Sequence, residues 1–291
     1  MSGTARTFGA ITITNALPTG IGCAAGVALP VEAQVTLTTD RSRRPPTLEI
    51  PRDCHTPVVE EALRVGLALY FPEPGAVARL SLRSEIPIAR GLKSSSAVST
   101  AVLLAVARAA DRNPTSLEIG RHSADVARRA GVSATGALDD ALAGLEPGFV
   151  VTDNVRGEVL RRTDIDPGWG VALYIPPQPH PPSPNLRNAF SNERASGEPA
   201  ARAAMDGDWT KAMRLNTELV ERTMGYSYRE IRDHLRQHGA IVSGVSGLGP
   251  TLATIAPLAR LADLVQELPS DTAQKLVVPF TRTSMSGGDR A

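Results

Sequence analysis

Cysteine is nearly absent from this chain. Only Cys23 and Cys54 occur among 291 residues, and they form no Cys-x-x-Cys pair. So few cysteines in a chain of this length are typical of a reducing compartment.

An excess of charge of either sign is also absent. The 31 basic and 30 acidic residues leave a formal net charge of +1, which gives no support to a nucleic-acid partner or an acidic membrane surface. The arginine-rich run at residues 41–46, RSRRPP, contains no interleaved aromatic residue. It therefore indicates a solvated turn rather than a nucleic-acid patch.

Long apolar segments are absent as well. The longest mainly apolar stretch, residues 97–107, is shorter than the roughly 20 residues that cross a bilayer as a helix. Asn15 and Pro18 interrupt the apolar region that follows Arg6, unlike the core of a signal peptide. We therefore expect a soluble, cytoplasmic protein without a membrane partner.

The chain does contain alternating strand and helix patterns in both halves. Period-two alternation predicts strands and apolar spacing of three and four predicts helices, whereas the glycines and proline of residues 15–26 predict a loop. Among the elements expected are strands at 8–14, 27–39 and 78–88 and helices at 57–70, 95–110 and 115–131. This order indicates an α/β or α+β fold.

The most informative stretch is residues 87–110, in which Gly91 and Lys93 precede three consecutive serines and an alanine-rich predicted helix. A helix N-terminus offers unpaired N–H groups and partial positive charge, which attract phosphate. Gly91 allows close backbone approach, and serine hydroxyls can contact phosphate oxygens or Mg²⁺. The alternative is an ordinary serine N-cap on a buried helix.

Other phosphate-binding patterns fit less well. No Gly-Lys dipeptide occurs, so a Walker motif is excluded. The glycines of residues 20–26 have the wrong spacing for a dinucleotide fold and precede a predicted strand. Residues 243–251, SGVSGLGPT, form a glycine-rich loop between two predicted strands. This loop either approaches a ligand closely or is a tight hairpin.

Two adjacent carboxylates, Asp139 and Asp140, begin a short predicted helix. Adjacent helical residues point about 100° apart, so we expect one to face a site and the other a neighbour or solvent. An aspartate can orient an alcohol and accept its proton during phosphoryl transfer. The alternative is a pair of acids at a helix start, favoured there by the helix dipole.

The histidines give a weaker signal. His234 and His238 lie four residues apart on a predicted helix but lack the glutamate of an H-E-x-x-H motif. The spacing alone therefore indicates a solvated helix face.

Taken in order, these segments resemble the GHMP kinase superfamily. Its central motif reads roughly P-x-x-x-G-L-G-S-S-A, and Pro87, Gly91, Leu92, Ser94, Ser95 and Ala97 match it with one extra serine. GLKSSSA and TGALDDA are similar to segments of the archaeal-type shikimate kinase branch. NALPTGIGCAAGVAL and SGVSGLGPT resemble that branch's first and third motifs.

The resemblance implies an α+β fold with two lobes. Residues 1–165 would form an N-terminal lobe like ribosomal protein S5 domain 2, with the ATP-binding loop, and residues 166–291 a ferredoxin-like C-terminal lobe. Asp139, three residues after Gly136 as in a G-x-x-D pattern, and Lys93 would be catalytic. Ser95, or Ser94, would help to hold Mg²⁺. The implied ATP-binding residues are Pro87, Gly91, Leu92, Lys93, Ser94, Ser95, Ser96, Ala97, Gly247 and Gly249.

The implied activity is ATP-dependent phosphorylation of the shikimate 3-hydroxyl in chorismate biosynthesis. Two alternatives remain open: a GHMP kinase for another small alcohol such as homoserine, and a non-catalytic member that binds a metabolite. Many members of the superfamily carry a Mg²⁺-binding Glu on the helix before the catalytic Asp. This sequence has no matching Glu, and Asp125 is the nearest acid in that region. Asn185 and Arg187 are candidates to bind the substrate carboxylate.

Overall fold

The structure is a computed structural model, and it describes residues 1–40, 42, 45–178, 189–190 and 192–282. The described strands and helices alternate through both halves of the chain, as the sequence predicts. The strands are β1 Ser2–Thr14, β2 Ile21–Thr39, β3 Thr47–Glu49, β4 Ala76–Ser84, β5 Phe149–Asp153, β6 Glu158–Thr163, β7 Trp169–Ile175, β8 Val242–Val245, β9 Leu252–Pro257 and β10 Gln274–Pro279. The helices are α1 Pro57–Tyr70, α2 Ser94–Ala109, α3 Ser116–Arg129, α4 Leu138–Ala143, α5 Arg194–Asp206, α6 Trp209–Met224, α7 Arg229–Gln237 and α8 Leu258–Gln266.

The first sheet contains β1–β6 and is built around the long strand β2. Its path runs β3-β4-β2-β5-β6, and β1 pairs antiparallel with β2 along nearly its whole length. Helix α1 lies between β3 and β4 in the chain, and α2–α4 lie between β4 and β5. Helix α2 packs against β1, β2, α1, α3 and α4. Because α2 is surrounded, its side chains are mostly small and apolar rather than amphipathic.

The second sheet has the antiparallel order β10-β7-β9-β8. Helices α5–α7 lie between β7 and β8 in the chain, and α8 lies between β9 and β10. This β-α-β-β-α-β order with strand order 4-1-3-2 is a ferredoxin-like arrangement. The predicted two-part α+β fold is confirmed.

The two sheets share one apolar core. Buried side chains of β1, such as Ile11, belong to the same cluster as Leu173 of β7 and Met213 of α6. The chain leaves the first sheet at Thr163 and enters the second at Trp169. The division into lobes 1–165 and 166–291 stays a prediction.

One sequence-based expectation is wrong: residues 15–26 are not a loop throughout. Strand β2 begins at Ile21 and continues through Gly22 and Gly26. A Cβ on Gly26 would overlap the Ala143 carbonyl oxygen at the end of α4. The glycines therefore mark close approach to a neighbouring element rather than chain reversal.

The helix predicted at 57–70 coincides with α1, which starts at an N-cap threonine, Thr56, with proline at the first helical position. None of the described helices is long and apolar enough to cross a membrane.

Candidate active site

The N-terminus of α2 is not capped by a serine. Lys93 is the N-cap residue, in the left-handed conformation at φ 67°, and its side chain makes no capping hydrogen bond. The amides of Ser94, Ser95 and Ser96 belong to the first turn, which has no intrahelical acceptors. The N-cap interpretation of the serines is therefore wrong, and first-turn amides without an intrahelical acceptor suit an anion.

The loop before α2 is fixed by the hairpin between β8 and β9. Ser246 Oγ donates a hydrogen bond to the Gly91 carbonyl oxygen at 2.7 Å, and the Thr12 amide donates to Ser246 Oγ at 3.1 Å. The Gly247 amide donates to Thr12 Oγ1 at 2.8 Å. A Cβ on Gly91, at φ 80°, would overlap the Ser246 carbonyl oxygen. The residue 243–251 segment is thus both a hairpin connection and a support for the phosphate-loop candidate.

A cavity of about 820 Å³ opens in front of this loop, within the size range of ligand pockets. Of the predicted binding residues, Pro87, Ala97 and Gly249 do not line it. Ala97 is 2% exposed and faces the core, and a Cβ on Gly249 would overlap the Tyr226 ring. The predicted residues that do line the cavity are Gly91, Leu92, Lys93, Ser94, Ser95, Ser96, Asp139 and Gly247.

Both carboxylates of α4 line this cavity and both are buried, Asp139 at 3% and Asp140 at 9% exposure. As expected for one of the pair, Asp140 faces a neighbour, Lys93, although it lines the same cavity as Asp139. Lys93 Nζ lies 3.1 Å from Asp140 Oδ2. Asp140 Oδ1 has no hydrogen-bond partner in the described part of the chain.

Asp139 is held by a different partner, Asn154, which immediately follows β5. Asn154 Nδ2 donates to Asp139 Oδ1 at 2.8 Å, and Thr152 Oγ1 donates to Asn154 Oδ1 at 2.6 Å. The second bond sets the amide orientation so that its N–H groups point toward Asp139. A Cβ on Gly22 would lie 2.5 Å from Asp139 Cγ, so this glycine makes room for the carboxylate.

Burial, together with the charge of Asp140, raises the pKa of Asp139 to about 7 against the opposing effects of Lys93 and Asn154. Burial also raises the pKa of Asp140, while Lys93 lowers it. A carboxylate with a pKa near neutrality is suited to accept a proton from a substrate at physiological pH.

The helix α3 presents a cation, not an acid, to the cavity. Arg128 lines the wall, whereas Asp125 does not. Arg128 Nη2 donates to Asp125 Oδ1 at 2.5 Å and Nη1 donates to the Thr135 carbonyl oxygen at 3.3 Å. The only acids that line the cavity, among the residues described, are Asp139 and Asp140.

Sequence reasoning missed several residues of this site. Asn154 and Thr12 carry no local motif, and the ion pair of Asp140 with Lys93 joins two helix starts far apart in the chain. The positive charge of Arg128 was visible, but its position on the cavity wall depends on how α3 packs. Asn185 and Arg187 lie outside the described residues.

The chain is similar to known proteins over most of its length. Residues 58–146 match the family described as the GHMP kinases N terminal domain. Over 257 residues the chain is 35% identical to a shikimate kinase of Pyrococcus abyssi, an alignment that covers 88% of this chain and 92% of the relative. A shikimate kinase of Methanosarcina mazei is 34% identical over 278 residues, covering 93% and 89%.

Solved structures share the fold. The mevalonate kinase of Methanococcus jannaschii has a TM-score of 0.71 over 96% of this chain and 98% of that one, at 15% identity. A homoserine kinase of Cytophaga hutchinsonii has a TM-score of 0.68 over 95% and 94%, at 14% identity. With the identities above, these likenesses place the chain in the GHMP kinase superfamily and, within it, in the family of the archaeal shikimate kinases.

Proposed function

We propose that this protein transfers the γ-phosphoryl group of ATP to the 3-hydroxyl of shikimate, giving shikimate 3-phosphate and ADP. The observation that carries the proposal is one cavity with two chemically distinct walls. One wall offers the amides and hydroxyls at the start of α2, and the other offers the buried Asp139 carboxylate. Relatives that align along most of the chain are shikimate kinases, which supports shikimate as the alcohol.

The α2 N-terminus binds the nucleotide phosphates in this proposal. First-turn amides of Ser94–Ser96 donate to phosphate oxygens, and the helix dipole favours their negative charge. Gly91 and Gly247 keep side chains out of the space in front of the loop. Pro87, Ala97 and Gly249 act indirectly, by shaping the backbone around it.

Asp139 acts on the acceptor alcohol. The substrate oxygen attacks the γ-phosphorus, its proton passes to an Asp139 carboxylate oxygen, and the bond to the ADP oxygen breaks. Asn154 holds Asp139 Oδ1 in place, which leaves Oδ2 for the alcohol. Lys93 lies at the junction of the two walls and, with one hydrogen bond to Asp140, can share its remaining donors with the transferred phosphoryl group.

The site has a donor set that fits Mg²⁺. Ser95 and Asp140 line the same cavity, and both carry oxygen atoms of the hard type that Mg²⁺ prefers; Asp140 Oδ1 has no hydrogen-bond partner among the described residues. Mg²⁺, when bound, neutralises phosphate charge during transfer. We therefore propose Ser95 as the protein ligand of Mg²⁺. Asp140 would be the second ligand, in place of the Glu that many members of the superfamily carry in the region of α3.

Arg128 is the proposed partner of the substrate carboxylate. Among the described residues only Lys93 and Arg128 are cations that line the cavity. Both have an acid partner, but the Lys93 side chain is 14% exposed and lies against the buried Asp140, whereas the Arg128 side chain is 44% exposed and its partner Asp125 lies outside the cavity lining. Two hydrogen bonds orient the Arg128 guanidinium while leaving further N–H donors for a carboxylate.

We make three further proposals. The metal is Mg²⁺, the two lobes comprise residues 1–165 and 166–291, and the protein is located in the cytoplasm. The location is supported by the need for ATP and by the low cysteine content.

A coupled ADP-release assay with mass detection of the product tests the function. We expect ADP formation with shikimate and a product heavier by one phosphoryl group, but no turnover with homoserine or mevalonate. If homoserine is turned over and shikimate is not, homoserine is the substrate and the proposal is wrong. If no alcohol is turned over, a non-catalytic role in metabolite binding is favoured. Arg128→Met should raise the KM for shikimate and leave the KM for ATP nearly unchanged.

A further inference from the structure

A cluster of metal-ligand side chains lies outside the active-site cavity, at the C-terminal ends of α7 and α8. His234 is in the last turn of α7, His238 is its C-cap residue, and Glu267 is the C-cap residue of α8. None of the three lines the proposed active site. The two histidines are not merely a solvated helix face, because the fold brings a carboxylate from another helix to them.

The spacing of the ligand atoms fits one metal ion. His234 Nε2 lies 2.8 Å and His238 Nε2 lies 3.8 Å from Glu267 Oε2. One ligand atom from each of the three residues falls within 4.8 Å of the others. Metal–ligand bonds of about 2.0–2.1 Å in a tetrahedral site separate ligand atoms by about 3.3–3.5 Å. Both measured separations lie within about 0.7 Å of that value.

A hydrogen bond to the backbone leaves the other ring nitrogen of one imidazole available to a metal ion. His238 Nδ1 lies 2.9 Å from the His234 carbonyl oxygen. When Nδ1–H donates to that oxygen, Nε2 carries the lone pair and faces Glu267. Metal-bound histidines commonly donate their other ring N–H in this way, which fixes the ring and its tautomer.

The backbone that carries the ligands is fixed by packing beneath the cluster. Leu235 and Leu264 have no exposed surface and belong to the same apolar cluster of the ferredoxin-like lobe. The ends of both helices are therefore held in place before any ion binds, which reduces the ordering cost of binding.

The local electrostatics also favour a cation. The Glu267 carboxylate lies against the imidazoles of both His234 and His238. Two helix C-termini, each with partial negative charge, meet at the cluster. Arg260 opposes binding, because Nη2 donates to the His238 carbonyl oxygen at 3.1 Å, but Asp263 lies 3.8 Å from its guanidinium.

We propose that His234, His238 and Glu267 bind one divalent transition-metal ion of the zinc class, which fastens α7 to α8. Two imidazoles and one carboxylate suit Zn²⁺, whereas Mg²⁺ prefers oxygen ligands throughout. Water completes the coordination, since the cluster lies at the protein surface. The site is independent of the kinase activity, and the ion stabilises the ferredoxin-like lobe.

Calorimetric titration of the metal-free full-length protein with Zn²⁺ tests the site. We expect one ion per chain, and we expect His238→Ala to weaken binding by more than about 100-fold, since losing an outer partner alone costs about 10–100-fold. At a hundredfold excess over its Kd, Zn²⁺ should raise the Tm of the wild type by about 3–5 °C. The Tm of His238→Ala should not rise.

His55→Ala is the matched control. His55 Nε2 lies 3.3 Å from Glu60 on the surface, so it forms a histidine–carboxylate pair without a third ligand among the described residues. This variant should bind Zn²⁺ like the wild type. Three results would each overturn the proposal. They are equal Zn²⁺ affinity in the wild type and His238→Ala, loss of Zn²⁺ binding in His55→Ala, and no stoichiometric Zn²⁺ binding to the wild type. The rate of phosphoryl transfer should be the same in His238→Ala as in the wild type, whichever alcohol proves to be the substrate.

Discussion

Lys93 Nζ lies 3.1 Å from Asp140 Oδ2, while the adjacent Asp139 carboxylate is held instead by the neutral amide of Asn154. Two consecutive acids in one short helix thus have different partners. Burial raises the pKa of Asp140 and Lys93 opposes that rise, while the charge of Asp140 adds to burial in raising the pKa of Asp139. Different environments can divide the roles of neighbouring carboxylates between base and electrostatic support, and this is the division that we propose for Asp139 and Asp140.

Replacing the proposed base should stop phosphoryl transfer without removing the nucleotide. We expect Asp139→Asn to lower kcat by about 10²–10⁴-fold, the usual contribution of a general base. Its Kd for ATP should be nearly unchanged, because the first-turn amides of α2 are not altered. Stopped-flow or coupled assays and nucleotide titration measure the two quantities. An active Asp139→Asn variant would mean that another group accepts the proton.

The pH dependence of kcat/KM should report the ionisation of Asp139. A general base works only when deprotonated, so kcat/KM should rise with pH and level off above about 7. Asp140→Asn removes the repelling charge, and the rising limb should move to lower pH by about one unit. Lys93→Met removes an attracting charge and should move it to higher pH. Equal profiles in all three proteins would exclude Asp139 as the titrating group.

The buried acid should also destabilise the fold at neutral pH. Because the folded pKa of Asp139 is about 7 and its ordinary value is 3.8, the folded state binds more protons between these values. The free energy of unfolding therefore falls as pH rises through that window. Asp139→Asn should be more stable than the wild type at pH 8 by about 1–4 kcal/mol, with a smaller gain at pH 5.

Denaturant unfolding at both pH values measures this difference. Asp263→Asn is the control, because the Asp263 side chain is 71% exposed and should give no such pH-dependent gain. A loss of stability in Asp139→Asn at pH 8 would contradict the raised pKa.

Gly91 should be intolerant of a side chain for two separable reasons. Its φ of 80° disfavours other residues, and a Cβ would overlap the Ser246 carbonyl oxygen. Gly225, at φ 76°, has no atom within 4 Å of an added Cβ, so Gly225→Ala isolates the conformational cost of about 1–2 kcal/mol. We expect Gly91→Ala to lose more stability than this and to weaken ATP binding. Equal losses would show that the contact with Ser246 is not restrictive.

The sequence predicted the identity of most elements because their patterns are local. Pro57 and the apolar spacing of residues 57–70 predict α1, and the alternation of residues 27–39 predicts the greater part of β2. The start of β2 was missed since Gly22 and Gly26 are normal signals of a loop. They are instead required by α4 and the Asp139 carboxylate, which come more than a hundred residues later in the chain.

The candidate site was predictable only where its chemistry is contained in a short segment. The serines after Lys93 and the pair at Asp139 are visible as motifs. The hydrogen bond from Asn154 and the position of Arg128 depend on side-chain packing between elements, which leaves no periodic signal. Glu267 likewise joins His234 only through the packing of two helices.

The bond between Ser246 and Gly91 joins residues 155 positions apart. A nascent chain that ends before Ser246 therefore lacks the hydrogen bond that holds the phosphate loop at Gly91, even when α2 has already formed. Nucleotide binding should emerge only after the second half of the chain has left the ribosome, so a truncated product would neither consume ATP nor sequester it.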